Sequence, residues 1–72
     1  MLIEVAGKST TTVIRSLRAV PELHALHTTN GAWDLIAEIR TDTLENFDRV
    51  LREVRMIDGV LNSETSLMLS TI

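Results

Sequence analysis

Asn30-Gly31 lies between two apolar, β-prone stretches, and this dipeptide constrains the fold more than any other feature of the chain. Both residues tolerate φ > 0, which a tight hairpin turn requires. The chain is therefore expected to reverse here, leaving Glu22 to Thr29 and Trp33 to Arg40 as antiparallel neighbouring strands. Just past the reversal stand Trp33, the only tryptophan, and Asp34, a carboxylate that opens the apolar run Leu35, Ile36, Ala37, Ile39.

The flanks supply the remaining elements. Residues 1 to 6 (Met-Leu-Ile-Glu-Val-Ala) read as a short strand closed by Gly7-Lys8. Ser9, Thr10 or Thr11 can cap a helix by accepting from an unpaired backbone N–H, and Val13, Ile14, Leu17 and Val20 then form one helical stripe. Pro21 disfavours helical geometry at Val20 and ends that helix. A second helix is signalled more firmly by Leu44, Phe47, Val50, Leu51, Val54 and Ile57. Asp42 is its expected cap, with Glu45 completing a capping box. Glu45 with Arg49 and Asp48 with Arg52 are expected i, i+4 ion pairs on its outer face. Asp58-Gly59 ends it, with Gly59 suited to a left-handed conformation. Val60 to Leu69 reads as a last strand, with Leu61, Ser63, Thr65, Leu67 and Leu69 on one side and Val60, Asn62, Glu64, Ser66 and Met68 on the other.

The order is β-α-β-β-α-β, an α+β, ferredoxin-like pattern: a four-stranded antiparallel sheet with both helices on one face. The other face is left open. Strands this apolar would expose a patch larger than soluble monomers usually carry, so two subunits are expected to pack face to face about a two-fold axis, as a dimeric α+β barrel-like assembly.

Composition narrows the function. With 72 residues the chain is one domain, and a small one for which oligomerisation is a natural staple. The absence of cysteine excludes disulfides and thiolate metal sites and suits a reducing compartment. The apolar fraction of 44% is that of a globular domain, no run approaches the roughly 18 apolar residues of a membrane span, and the N-terminus lacks the pattern of a signal peptide. A cytoplasmic protein with no membrane partner is expected. Seven basic against ten acidic residues give a net charge of −3, the wrong sign for a phosphate-backbone binder. Direct nucleic-acid binding is not expected. No internal repeat or linker interrupts the chain, so residues 1–72 read as a single module.

Candidate chemistry is sparse. His24 and His27 are the only histidines, and residues three apart on a regular strand point to opposite faces, so they cannot chelate one ion. No metal site and no cofactor are expected. Asp34 supports two readings: an acid that holds an ammonium group by charge-assisted hydrogen bonds, or a turn acid that accepts backbone N–H bonds. Ser63, Thr65 and Ser66 offer hydroxyls on the last strand, where such groups more often pair across the sheet. The face with Arg49, Arg52, Glu53 and Arg55 reads as solvated surface. There is no activated nucleophile, no Gly-x-Ser-x-Gly elbow and no phosphate-binding glycine loop, so no catalytic residue is assigned.

Asn30-Gly31-Ala32-Trp33-Asp34-Leu35, the helix after Asp42, and Gly59-Val60-x-x-Ser63-x-Thr65 together resemble the effector-binding (RAM) domain of the Lrp/AsnC family of transcriptional regulators. The likeness extends over nearly all of the chain. It implies a ferredoxin-like dimer, dimers assembled into rings such as an octamer or decamer, and an amino-acid effector held between dimers. Carried onto this chain, the resemblance makes Gly31, Trp33, Asp34, Ser63 and Thr65 the ligand-binding residues. Gly31 would let its backbone approach a ligand carboxylate, Asp34 would meet an α-ammonium group, and Ser63 and Thr65 would supply the hydroxyl pair. Trp33 replaces the family's usual Tyr, exchanging a phenol for an indole that only donates.

Full-length family members carry a helix-turn-helix domain ahead of this module, whereas this chain begins at Met1 in its first strand. A stand-alone module without a DNA reader is the reading, although an excised domain beginning with an added Met would look alike. The function implied is non-enzymatic: amino-acid binding and oligomerisation, acting on transcription indirectly, by itself or with full-length Lrp/AsnC regulators. Two alternatives remain, a small dimeric α+β barrel enzyme with His24 or His27 as base and a purely structural ring former.

Overall fold

A computed structural model describes residues 1–68. The elements run β1 (Leu2–Val5), α1 (Thr10–Arg18), β2 (Leu23–Thr28), β3 (Leu35–Ile39), α2 (Leu44–Arg55) and β4 (Val60–Glu64). The strands form one antiparallel sheet in the order β2-β3-β1-β4. This is the ferredoxin-like α+β fold expected from the order of periodicities. Alternation along the strands sends Ile3, Val5, Leu35 and Ala37 to one face, where they meet Val13 and Leu17 of α1 and Val50 and Val54 of α2 in one buried cluster. Both helices therefore cover the same face, and full burial of a side chain such as Ile3 or Leu17 contributes roughly 1.5–3 kcal/mol.

α1 begins at Ser9, whose backbone carbonyl accepts from Val13 N–H at 2.8 Å while its side chain makes no capping bond. The expected hydroxyl cap is therefore absent, although the boundary is where the sequence put it. α2 begins one residue later than expected. Thr43, not Asp42, is the N-cap, and its hydroxyl accepts from Asn46 N–H at 3.1 Å. Asp42 instead accepts from the Asn46 side-chain amide at 2.9 Å, so the capping box with Glu45 does not form. The ion pairs shift too. Arg49 bonds Glu53 at 2.7 Å and Glu22, just ahead of β2, at 2.8 Å in place of Glu45, while Asp48–Arg52 pairs at 3.6 Å as expected. Arg49 thereby ties α2 to the chain entering β2, a link that helix periodicity alone cannot foresee. Leu44, assigned to the apolar stripe of α2, is 75% exposed, because the first turn overhangs the core.

Two further expectations are corrected. The β2–β3 connection runs from Thr29 to Asp34, closed by Thr29 N–H to Asp34 O at 3.0 Å, and neither Asn30 nor Gly31 has positive φ. It is a wider loop than the tight turn that Asn-Gly signals. β4 ends at Glu64, well short of Leu69, which lies outside the described residues. Its alternation is also broken: the register shifts between Glu4 and Val5, so that Val5 faces Val60 while Glu4 faces Asn62, and Leu61 bulges out at 64% exposure. Val60 packs against the core, and with Ser63 it belongs to the helix side of the sheet. The bulge thus separates Val60 from Asn62 and Glu64, with which simple alternation grouped it.

Gly59 is required where it stands. Its φ is +101°, and a Cβ there would lie 2.6 Å from Ser9 Cβ and 2.9 Å from Val13 Cγ2. The α2–β4 turn therefore presses backbone against the start of α1, and Ala6 N–H donates to Gly59 O at 2.9 Å. The face away from the helices carries Leu2 and Ile36, but Glu4, Glu38 and Glu64 lie among them. It is more mixed in polarity than the sequence suggested.

Candidate functional site

Asp34 is the most connected residue at the loop end of the sheet. Its N–H donates to Ile3 O at 2.9 Å and its C=O accepts from Thr29 N–H at 3.0 Å. Its carboxylate Oδ2 accepts from Val5 N–H at 2.8 Å, just beyond the last β1–β3 residue pair, Ile3 with Leu35. One acid thus pins β1, β3 and the end of β2 together. This oxygen accepts a backbone N–H, but from a donor distant in sequence and not from the local turn that the structural reading of Asp34 expected. The other oxygen, Oδ1, makes no hydrogen bond among the described residues, and Asp34 as a whole is exposed.

Gly31 and Trp33 share this loop. Gly31 N–H donates to Thr29 Oγ1 at 3.2 Å, so the loop amide that the sequence offered to a ligand is engaged by a rotatable hydroxyl. Nothing among the described residues demands glycine here: φ is not positive, and a Cβ would meet only Thr29 Oγ1 at 3.7 Å. Trp33 is half-buried.

Ser63 and Thr65 do not join the loop residues. Ser63 faces Ile3 across the β1–β4 pair, its Oγ accepts a long 3.4 Å bond from Arg55 Nε, and its N–H donates to Asn62 Oδ1 at 2.9 Å. Thr65 follows the residue paired with Leu2, at the opposite end of β1 from the Val5–Asp34 bond. With about 3.3 Å per residue, that places it on the order of 10 Å away along the sheet. The five residues therefore fall into three places in one protomer, and the hydroxyl pair is itself divided because regular pairing stops at Glu64.

Thr65 lines a mainly apolar groove of about 830 Å³, together with Leu2, Ile36, Phe47, Leu51 and the first turn of α2. Its Oγ1 is buried and has no hydrogen-bond partner among the described residues, and an unmatched buried hydroxyl costs stability unless something pairs with it. His27 and Glu38 lie at the rim, joined at 3.1 Å between Nε2 and Oε2. That hydrogen bond holds the Glu38 carboxyl below its ordinary range. The groove went unforeseen because its walls come from residues that periodicity assigns to the core or the open face. Among the described residues no group of three or more His, Cys, Asp or Glu gathers to hold a metal ion. Nor is any helix among them long and apolar enough to cross a membrane.

The Lrp/AsnC ligand binding domain matches residues 1–72, the full length given. The chain belongs to this family. The Lrp/AsnC domain is a small-molecule-binding regulatory module, and the family is non-enzymatic. Among solved structures, the crystal structure of TTHA0845 from Thermus thermophilus is similar, with a TM-score of 0.90 at 24% identity over 99% of this chain and 90% of that one. At that identity the likeness speaks to the fold. No curated protein matches the chain significantly.

Proposed function

We propose that this Lrp/AsnC domain binds an amino-acid effector at a contact between subunits and that binding favours a ring of dimers. The observation that carries the reading is Asp34: one carboxylate oxygen is fixed by Val5 N–H while the other makes no hydrogen bond among the described residues, beside Gly31 and Trp33 on an exposed loop. A pinned anion with one open oxygen is preorganised for an ammonium group, which gains from charge-assisted bonding without having to order the acid. The glycine at position 31, which no contact among the described residues requires, suits a close approach by a ligand carboxylate or a neighbouring subunit. Separation of the loop trio from Ser63 and Thr65 favours a site completed by a second copy, with Thr65 contributed from elsewhere in the assembly.

The mechanism is linkage. A ligand that touches two dimers stabilises the assembled state by its differential affinity and needs no chemistry. The module would act on transcription indirectly, through effector sequestration or co-assembly with full-length Lrp/AsnC regulators, and the net charge of −3 on residues 1–72 disfavours nucleic-acid contacts by these residues themselves. Thermal scans across a panel of amino acids test this, with a ligand-specific rise in melting temperature as the expected result. Melting unaffected by any of them contradicts it.

A second reading rests on the groove. The His27–Glu38 pair at the rim of an apolar space is the geometry of a base oriented by a carboxylate. It would make the assembly an enzyme, contrary to the character of the family. A His27→Asn variant that retains effector-dependent assembly excludes that reading.

A further inference from the structure

The geometry points to a second polar cleft, at the outer edge of β4, that takes a small carboxylate with a short apolar body. It is an open cleft of about 300 Å³ lined by Arg55, Val60, Leu61, Asn62 and Ser63, at the lower end of the range for small-molecule sites. Of the arginines on α2, Arg49 pairs with Glu22 and Glu53, and Arg52 pairs with Asp48. Arg55 alone of the three has no carboxylate partner among the described residues, and no acid lines the cleft.

The hydrogen bonds already made turn the cleft into a set of donors. Arg55 Nε donates to Ser63 Oγ at 3.4 Å, and a guanidinium cannot accept, so the hydroxyl's own hydrogen is left to donate outward. Asn62 spends its carbonyl oxygen on Ser63 N–H at 2.9 Å, which leaves its amide nitrogen as a donor. Arg55, Ser63 and Asn62 line one cleft at the exposed edge of β4, where the Asn62 side chain folds back along its own strand to Ser63 N–H, and a guanidinium fork, a hydroxyl and an amide are the donors that match a planar carboxylate. Val60 and the 64%-exposed Leu61 add an apolar wall. This gives Ser63 a role apart from Asp34, and it rests on the effector reading only for which natural molecule brings the carboxylate.

Heteronuclear NMR titration with isobutyrate, and separately with inorganic phosphate, tests the site on the full chain. Isobutyrate should shift the Ser63 amide and the Arg55 side-chain Nε–H resonances saturably. Arg55→Gln should weaken that binding at least tenfold, Arg55→Lys should recover only part of it, and Asp34→Asn should leave it unchanged. Shifts that do not saturate, shifts that survive Arg55→Gln, or saturation by phosphate alone would overturn the proposal. If isobutyrate saturates while no amino acid alters melting or assembly, the effector reading fails and the cleft stands.

Discussion

Asp34 can be divided experimentally into its two oxygens. Replacing it by Ala leaves Val5 N–H, half enclosed at the end of the β1–β3 ladder, without the acceptor now 2.8 Å away. A hydrogen bond to a charged group is worth about 1.5–3 kcal/mol and an ordinary one about 0.5–1.5, and the exposure of Asp34 places this case where the two ranges meet, at about 1–2 kcal/mol. For a domain of this size, that lowers the melting temperature by roughly 4–16 °C. Asp34→Asn keeps an acceptor oxygen for Val5 and removes only the charge, so its stability cost should stay below about 1 kcal/mol. The effector response should nonetheless vanish in both variants, because a neutral amide cannot hold an ammonium group as a carboxylate does. Urea denaturation followed by circular dichroism, with the slope checked for constancy, gives the first quantity, and ligand-dependent melting gives the second. Equal destabilisation by Ala and Asn would refute the ladder argument. An Asn variant with an unchanged effector response would refute the ammonium argument.

Other expectations follow from the packing and the caps. Gly59→Ala combines positive-φ strain with a Cβ 2.6 Å from Ser9 Cβ, and should cost about 2–4 kcal/mol by chemical denaturation; Ser9→Gly in the same background should recover part of that, and a cost below about 1 kcal/mol would contradict the close approach. Thr43→Ala should cost about 1 kcal/mol and Asp42→Ala distinctly less, and the reverse order would restore Asp42 as the cap of α2. The hydrogen bond from His27 lowers the Glu38 pKa below its ordinary 4.5, so its contribution is fully present above that value and fades as pH falls through the lowered pKa; His27→Asn should remove that acid-side dependence, read from melting temperatures across the range.

The order of elements was legible because each has its own period. Val13 and Leu17 on α1, and Val50 and Val54 on α2, are fully buried where their helical spacing places them. Gly59 was legible as a turn glycine, but its pressure on Ser9 and Val13 was not, since that contact joins segments far apart in sequence. Thr43 displaced Asp42 as cap because two adjacent residues both have capping side chains and only geometry chooses between them. The loop misled because Asn-Gly signals a tight turn, whereas Asp34, by bonding Ile3, Val5 and Thr29 at once, holds the chain in a wider one. The bulge at Leu61 and the end of β4 at Glu64 were equally hidden, being set by pairing with β1. For the same reason Ser63 and Thr65, adjacent in the motif, have different surroundings. Arg55 was read as solvated surface, and only the folded register brings it to Ser63.

The central claim, that an amino acid bridges subunits of this Lrp/AsnC domain, is tested most directly by native mass spectrometry at micromolar protein, with and without each of the twenty amino acids. The account predicts a discrete assembly larger than a dimer that retains, or is stabilised by, one amino acid, and that loses this response in Asp34→Asn. A dimer indifferent to all twenty would contradict it.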